Sequence, residues 1–195
     1  METKNIMIVG VGGQGSLLTS RILGNAALKL GCDVKVSEVH GMSQRGGSVV
    51  TYVKYGERID SPIICMGEAD IIIAFEQLEA FRWISYLKND GILITSTQKI
   101  NPMPVITGVV SYPDNITLKI ADKGIKIIDI DSLALAKQAG TDKASNVVLI
   151  GVLAKYMQRE NISREIYTDA LRESINPRLF DVNLKAFDLG YEITV

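Results

Sequence analysis

The sequence is poor in residues that bind metals. It has two cysteines, Cys32 and Cys65, with no CxxC spacing, and a single histidine, His40. Two scattered thiols and one imidazole fall short of the four thiolates of a usual iron–sulfur cluster and of a closed structural zinc site. Any hard redox chemistry must therefore come from a bound organic cofactor or from another chain. Both cysteines read most simply as small buried hydrophobes. An excess of one charge is missing too: 21 Lys and Arg stand against 22 Asp and Glu, a formal net charge of −1. No basic footprint points to nucleic acid, and no Lys/Arg run marks a tail or a membrane-surface helix. Apolar runs such as IIIAF and NVVLIGVLA are far shorter than the roughly 20 residues of a membrane-spanning helix. The opening METKNIMIVG passes straight into strand pattern, without the features of a signal peptide, so a cytoplasmic protein is expected. Internal repeats, low-complexity tracts and linkers are absent as well.

At 195 residues, 47% hydrophobic and 22% charged, the chain is expected to form one domain over 1–195 with a substantial core. Residues 5–10 (NIMIVG) read as a strand buried on both faces. Leu17, Leu18, Ile22, Ala26 and Leu30 recur at helical spacing, and Gly31 stops that helix. DVKVSEV alternates as a second strand, giving a βαβ start with a right-handed crossover that sets it next to the first. A strand at 48–55, a turn around Gly56 and a short return strand would add an antiparallel hairpin. ADIIIAFE and GILITST read as further strands, separated by a helix at 77–87 that ends near Asn89-Asp90-Gly91. Pro102, Pro104 and Pro113 break the next segment into short pieces. KIIDID is a late strand, and Asp131 or Ser132 caps the helix SLALAKQA. Helices are expected at 146–157, 163–175 and 178–189, with Gly190 closing the last. The alternation predicts an α/β fold: a three-layer α/β/α sandwich, Rossmann-like, with a mostly parallel sheet, an antiparallel hairpin and a helical C-terminus.

Two loops carry the functional signal. GVGGQG, following a strand and opening a helix, is a literal GxGxxG with Gly10, Gly12 and Gly15 at the marked positions and Gly13 between them. Glycines allow a tight turn and close ligand approach. N–H groups and the dipole at the helix start favour an anion, and Gln14 offers a side-chain amide. A dinucleotide reading needs an acid near the end of the second strand; Glu38, 23 residues beyond Gly15, is the candidate. The loop as a plain strand–helix turn is the other reading. The second loop, HGMSQRGGS, places His40, Ser43, Gln44 and Arg45 before Gly46-Gly47. Loops at the carboxyl ends of strands share one crevice in such sheets. Backbone donors, a permanent cation and an imidazole together suit a ligand bearing phosphates or a carboxylate. Arg45 and Gln44 bridging to a partner chain is the alternative, and a structural role for His40 stands beside a catalytic one.

These stretches, with ADIIIAFEQLEAFR and NVVLIGVLAK, resemble the gamma-type subunit family of 2-oxoacid:ferredoxin oxidoreductases, most of all its indolepyruvate-type branch. The resemblance spans essentially the whole chain, and the specific signal is SEVHGMSQRGGSV. It implies oxidative decarboxylation of a 2-oxoacid, in this branch an aryl pyruvate, with coenzyme A, giving acyl-CoA, carbon dioxide and reduced ferredoxin. It implies a large alpha subunit carrying thiamine diphosphate, magnesium and [4Fe-4S] clusters. This chain lacks cluster cysteines and a GDG-type thiamine motif, which agrees with a non-redox role, inactive alone. Implied site residues are Gly10, Gly12, Gly13, Gln14, Gly15, Ser43, Gln44, Arg45, Gly46 and Gly47, facing coenzyme A or substrate, with His40 as a further candidate. A stand-alone dinucleotide binder using Glu38 and a purely structural partner remain alternatives, and a homodimer of the isolated chain stays open.

Four other features have a plainer reading. Glu76, where a strand ends, could reach the crevice but reads more simply as an acid at a helix start, Glu79 and Arg82 as an exposed pair, and Trp83 as a packing residue rather than one that stacks on substrate. NVVLIGVLAKYM, apolar nearly all round, is a core helix with some interface.

Overall fold

A computed structural model describes residues 2–40 and 47–194. Six strands form one sheet: β1 (Lys4–Val11), β2 (Asp33–His40), β3 (Ser48–Gly56), β4 (Ala69–Ala74), β5 (Leu87–Ser96) and β6 (Lys126–Ile130), in the order β2-β3-β1-β4-β5-β6. β1, β4, β5 and β6 are parallel, and β3 runs opposite to both of its neighbours, β1 and β2. The helices are α1 (Ser16–Lys29), α2 (Gln77–Trp83), α3 (Met103–Ile106), α4 (Ile116–Ala121), α5 (Ser132–Ala139), α6 (Ser145–Met157), α7 (Arg164–Ser174) and α8 (Phe180–Tyr191).

Strand alternation builds two cores. Ile6 and Ile8 of β1 face a core shared with α1, α5, α6, α7 and α8. Met7 and Val9 face a smaller one shared with α2 and α4. The three-layer α/β/α sandwich, mostly parallel with one antiparallel strand, is therefore as expected. Gly31, at φ 76°, turns the chain out of α1. Asp131 caps α5, its Oδ1 accepting from Ala134 N–H at 2.9 Å.

Several local expectations are corrected. β2 does not lie next to β1; β3 sits between them. The hairpin is β2–β3, with Asp33 opposite Gly56 and His40 opposite Val49, so SVVTYVKYG pairs backward as well as inward. No return strand follows Gly56 among the described residues; Asp33 Oδ2 instead accepts from Ile59 N–H at 2.8 Å and Lys54 Nζ donates to the Ile63 carbonyl. The helix expected at 77–87 ends at Trp83, followed by a tight turn at Ile84–Tyr86, and β5 begins at Leu87. Asn89 and Asp90 thus lie inside β5, where its pairing with β4 shifts register between Ala69 and Ile71.

Gly190 does not close α8 but lies within it, against α6. A side chain at Gly190 would meet the Val148 carbonyl oxygen at 2.0 Å, and one at Gly151 the Phe187 carbonyl oxygen at 2.0 Å. These two glycines set how closely α6 and α8 cross. Asn146 to Ala154 are all buried, so α6 is the centre of the larger core.

Candidate functional site

GVGGQG leaves the carboxyl end of β1 and turns into α1 at Gly15, whose φ of 89° is left-handed. Gly13 is left-handed as well, at 99°. No side chain caps the start of α1 and no acid lies in its first turn. The N–H groups of that turn have no acceptor within the helix, and the dipole adds partial positive charge. The glycines divide by role. A side chain at Gly13 would meet nothing within 4 Å, so the loop is open there. At Gly15 it would meet Asn146 Nδ2 at 2.6 Å, and at Gly10 it would meet Gln14 Oε1 at 2.9 Å and Phe75 at 3.0 Å. Gly10 and Gly15 therefore serve packing, whereas Gly13 faces open space.

Gln14 braces the turn. Its Oε1 accepts from Val11 N–H at 2.8 Å, and its Nε2 donates to the Phe75 carbonyl at 3.1 Å and to Gln98 Oε1 at 3.3 Å. The side-chain amide is committed to the loop's own geometry and to the segments after β4 and β5.

Two clefts flank this loop. One, about 410 Å³, is lined by Gly12, Gly13, Gly15, Ser16, Leu17, Glu38 and Val49. The other, about 510 Å³, is lined by Gly13, Gln14, Gln98, Lys143, Ser145 and Asn146, among others. Glu38 Oε2 accepts from Ser16 Oγ at 3.0 Å and from the buried Thr51 Oγ1 at 3.1 Å. The first cleft thus sets backbone donors beside a carboxylate and suits a ligand with both an anionic and a hydroxyl group. The second offers amides, a hydroxyl and an ammonium beside the Asp142 carboxylate.

Gly47 is brought to the first loop: its carbonyl accepts from Gly12 N–H at 2.9 Å. Ser43, Gln44, Arg45 and Gly46 lie outside the described residues, and for His40 only the backbone, as the end of β2, is described. Gly47 reaches the glycine loop although β2 is one strand removed from β1, because antiparallel β3 starts where β1 ends, with Ser48 opposite Val11.

Glu76 and Glu79 are both buried, at 1% and 2% exposure, so the expectation of an exposed Glu79–Arg82 pair is corrected. Glu79 Oε1 takes Arg82 Nη1 at 2.6 Å, while Oε2 takes Ser48 Oγ and, at 3.3 Å, Trp83 Nε1. Glu76 caps α2, accepting from Glu79 N–H at 2.9 Å, and also accepts from Ile100 N–H at 3.1 Å and from the Tyr112 hydroxyl. Burial, then the hydrogen bond to Glu76, pushes the Tyr112 hydroxyl well above the usual tyrosine value.

Sequence reading missed Gln98, Lys143, Ser145 and Asn146, which line the second cleft. Asn146 had a signal: it is a polar residue opening an otherwise apolar run. The others come from loops and helix starts remote in sequence. Cys32 is buried in the larger core and Cys65 is exposed. Among the described residues no cluster of His, Cys, Asp and Glu could hold a metal ion, and no helix is long and apolar enough to cross a membrane.

The family model for pyruvate ferredoxin/flavodoxin oxidoreductase matches residues 5–193, and the chain belongs to that family. The chain is 43% identical over 193 residues to the indolepyruvate oxidoreductase subunit IorB of Thermococcus kodakarensis, and 44% to that of Pyrococcus horikoshii, covering 97% of this chain and 95% of each relative. Its fold is similar to that of pyruvate oxidoreductase subunit PORC from Thermotoga maritima, with a TM-score of 0.73 at 21% identity over 98% of this chain and 97% of that one. It is similar also to 2-oxoglutarate:ferredoxin oxidoreductase from Magnetococcus marinus, described with 2-oxoglutarate, coenzyme A and succinyl-CoA bound, with a TM-score of 0.73 at 19% identity. There it covers 100% of this chain and 32% of the longer one. The chain is the small subunit of an oxoacid:ferredoxin oxidoreductase and works as part of a complex.

Proposed function

We propose that this subunit, as a single domain over 1–195, supplies the coenzyme A site of an enzyme that oxidatively decarboxylates an aryl 2-oxoacid such as indolepyruvate. Thiamine diphosphate, magnesium and iron–sulfur clusters on the large alpha subunit provide decarboxylation and electron transfer to ferredoxin. The observation that carries the reading is the glycine loop, open at Gly13 and flanked by two clefts at the uncapped start of α1. An anionic diphosphate is stabilised there by backbone N–H groups and the helix dipole. Gly12, Gly13 and Gly15 shape the cradle, Gln14 braces it, and Gly10 lets Gln14 and Phe75 close in. Ser43, Gln44, Arg45, Gly46 and Gly47 are assigned to the same ligand, with Arg45 as the cation for a phosphate or for the substrate carboxylate. The aryl substrate rests on the names of the relatives, and the coenzyme A assignment is supported by the ligands described for the Magnetococcus enzyme.

A dinucleotide-binding reading through Glu38 is disfavoured by topology. The acid of that fingerprint ends a strand adjacent to the first, whereas β3 separates β2 from β1 here. The test uses the complex assembled anaerobically with its large subunit, assayed for dye reduction that needs both aryl pyruvate and coenzyme A. Arg45→Ala is expected to raise a KM for coenzyme A or oxoacid with assembly intact. Unchanged constants would make the chain a structural partner only.

A further inference from the structure

Glu79 is a buried carboxylate with no part in the proposed ligand contacts. Its side chain is 3% exposed, and burying a carboxylate is costly unless donors satisfy it. Arg82, with its side chain 46% exposed, pairs with its Oε1 at 2.6 Å, and that pair alone would be made as well at the surface. Glu79 is instead inside, within reach of Ser48. Ser48 is the first residue of β3. On one side of it, the Gly47 carbonyl takes Gly12 N–H at 2.9 Å. On the other, Val49 lines the first cleft together with Gly12. The corner at 47–49 is therefore tied on one flank to the glycine loop and on the other to α2.

We propose that Glu79 is a positioning residue for the cleft. Through Ser48 it fixes the corner at 47–49, and with it the Gly12 wall of the glycine loop, so that it sets ligand affinity without touching ligand. The inference rests on the reading of the cleft as the coenzyme A site. The arrangement is economical: α2 starts directly after β4, and Glu76 caps it at the end of that strand. One short helix thus references the β1 loop and the start of β3 to the centre of the sheet.

The test is made in the assembled enzyme with Ser48→Ala, Ser48→Thr and Glu79→Gln. Loss of a hydrogen bond to a charged group predicts a KM for coenzyme A raised about tenfold in Ser48→Ala. Expected alongside are kcat and assembly near those of the wild type, and recovery in Ser48→Thr, which keeps the hydroxyl. Glu79→Gln added to Ser48→Ala should raise KM no further, because the effect of Glu79 on the cleft passes through the Ser48 hydroxyl. Hydrogen exchange supplies a readout that needs no ligand: the Gly12 amide should exchange faster in Ser48→Ala. Wild-type KM and wild-type Gly12 exchange in Ser48→Ala would overturn the proposal. Gly13→Ala separates it from the reading beneath. If Gly13→Ala raises KM and Ser48→Ala does not, the positioning role fails while the cleft stands. If Ser48→Ala speeds Gly12 exchange and neither variant moves KM, the cleft reading fails and takes the effect on affinity with it.

Discussion

Gly151→Ala should destabilise the protein although it improves helix propensity. Two effects oppose each other. Alanine gains about 1 kcal/mol over glycine inside a helix. Against this, the added methyl at Gly151 would stand 2.0 Å from the Phe187 carbonyl oxygen and 2.8 Å from Tyr191 N. Even a close carbon–oxygen contact needs roughly 3.3 Å. Both obstructing atoms are backbone, so no side chain can swing away and α6 must move off α8. Overpacking of this kind costs about 1–3 kcal/mol or more, and an overlap with rigid backbone belongs at the upper end. The net expectation is a loss of about 2 kcal/mol, equivalent to a Tm lower by about 4–8 °C for a chain of this size. Gly24→Ala is the internal control. It sits inside α1, where a methyl would meet Val36 Cγ2 at 3.8 Å and Val34 Cγ1 at 3.9 Å, both ordinary contacts. Only the propensity effect then operates, and Tm should rise by about 2–4 °C. Thermal unfolding followed by far-UV circular dichroism reads both. A Gly151→Ala protein as stable as the wild type would refute the argument that these helices cross backbone to backbone.

Three further outcomes are expected. Tyr112→Phe removes a donor from buried Glu76, leaving it Ile100 N–H and Glu79 N–H; urea unfolding should show a loss of about 2 kcal/mol. Tyr112, Tyr55 and Tyr167 are all raised, first by burial, so the native state holds these protons more tightly than the unfolded chain. Their contribution is complete below about pH 10 and falls as pH rises beyond it, so the urea midpoint should drop on the alkaline side, less steeply in Tyr112→Phe. Gly15→Ala combines a left-handed φ of 89° with a methyl 2.6 Å from Asn146 Nδ2. It should cost about 2 kcal/mol, and adding Asn146→Ala should return the crowding part alone, as measured by Tm.

Much of the fold was legible because the strong signals are local. Continuous apolar runs mark β1 and β4, and apolar residues at helical spacing mark α1. Gly31 ends that helix through its own backbone freedom. What escaped depends on contacts between distant segments. SVVTYVKYG reads as a strand from its residues, but pairing with β2 or with a return strand after Gly56 gives the same alternation. Gly190 reads as a stop because glycine so often ends a helix; only its approach to Val148 reveals that it sits inside one. Glu79 and Arg82 have the spacing of a surface pair, and nothing in that spacing shows that the carboxylate is buried and also takes Ser48, 31 residues away. The glycine loop was legible as a motif with its place between strand and helix. The second cleft was not, because Gln98 and the stretch 143–146 come from two parts of the chain far from the glycine loop and from each other.

The central claim is that this small subunit holds coenzyme A at the glycine loop. Calorimetric titration of coenzyme A into the assembled complex, wild type against Gly13→Ala, tests it most directly. Gly13 is open, so the substitution crowds no neighbour, yet its φ of 99° disfavours any side chain and shifts the cradle. The account predicts a Kd weaker by about tenfold with the complex intact. An unchanged Kd would place coenzyme A elsewhere in the enzyme and contradict it.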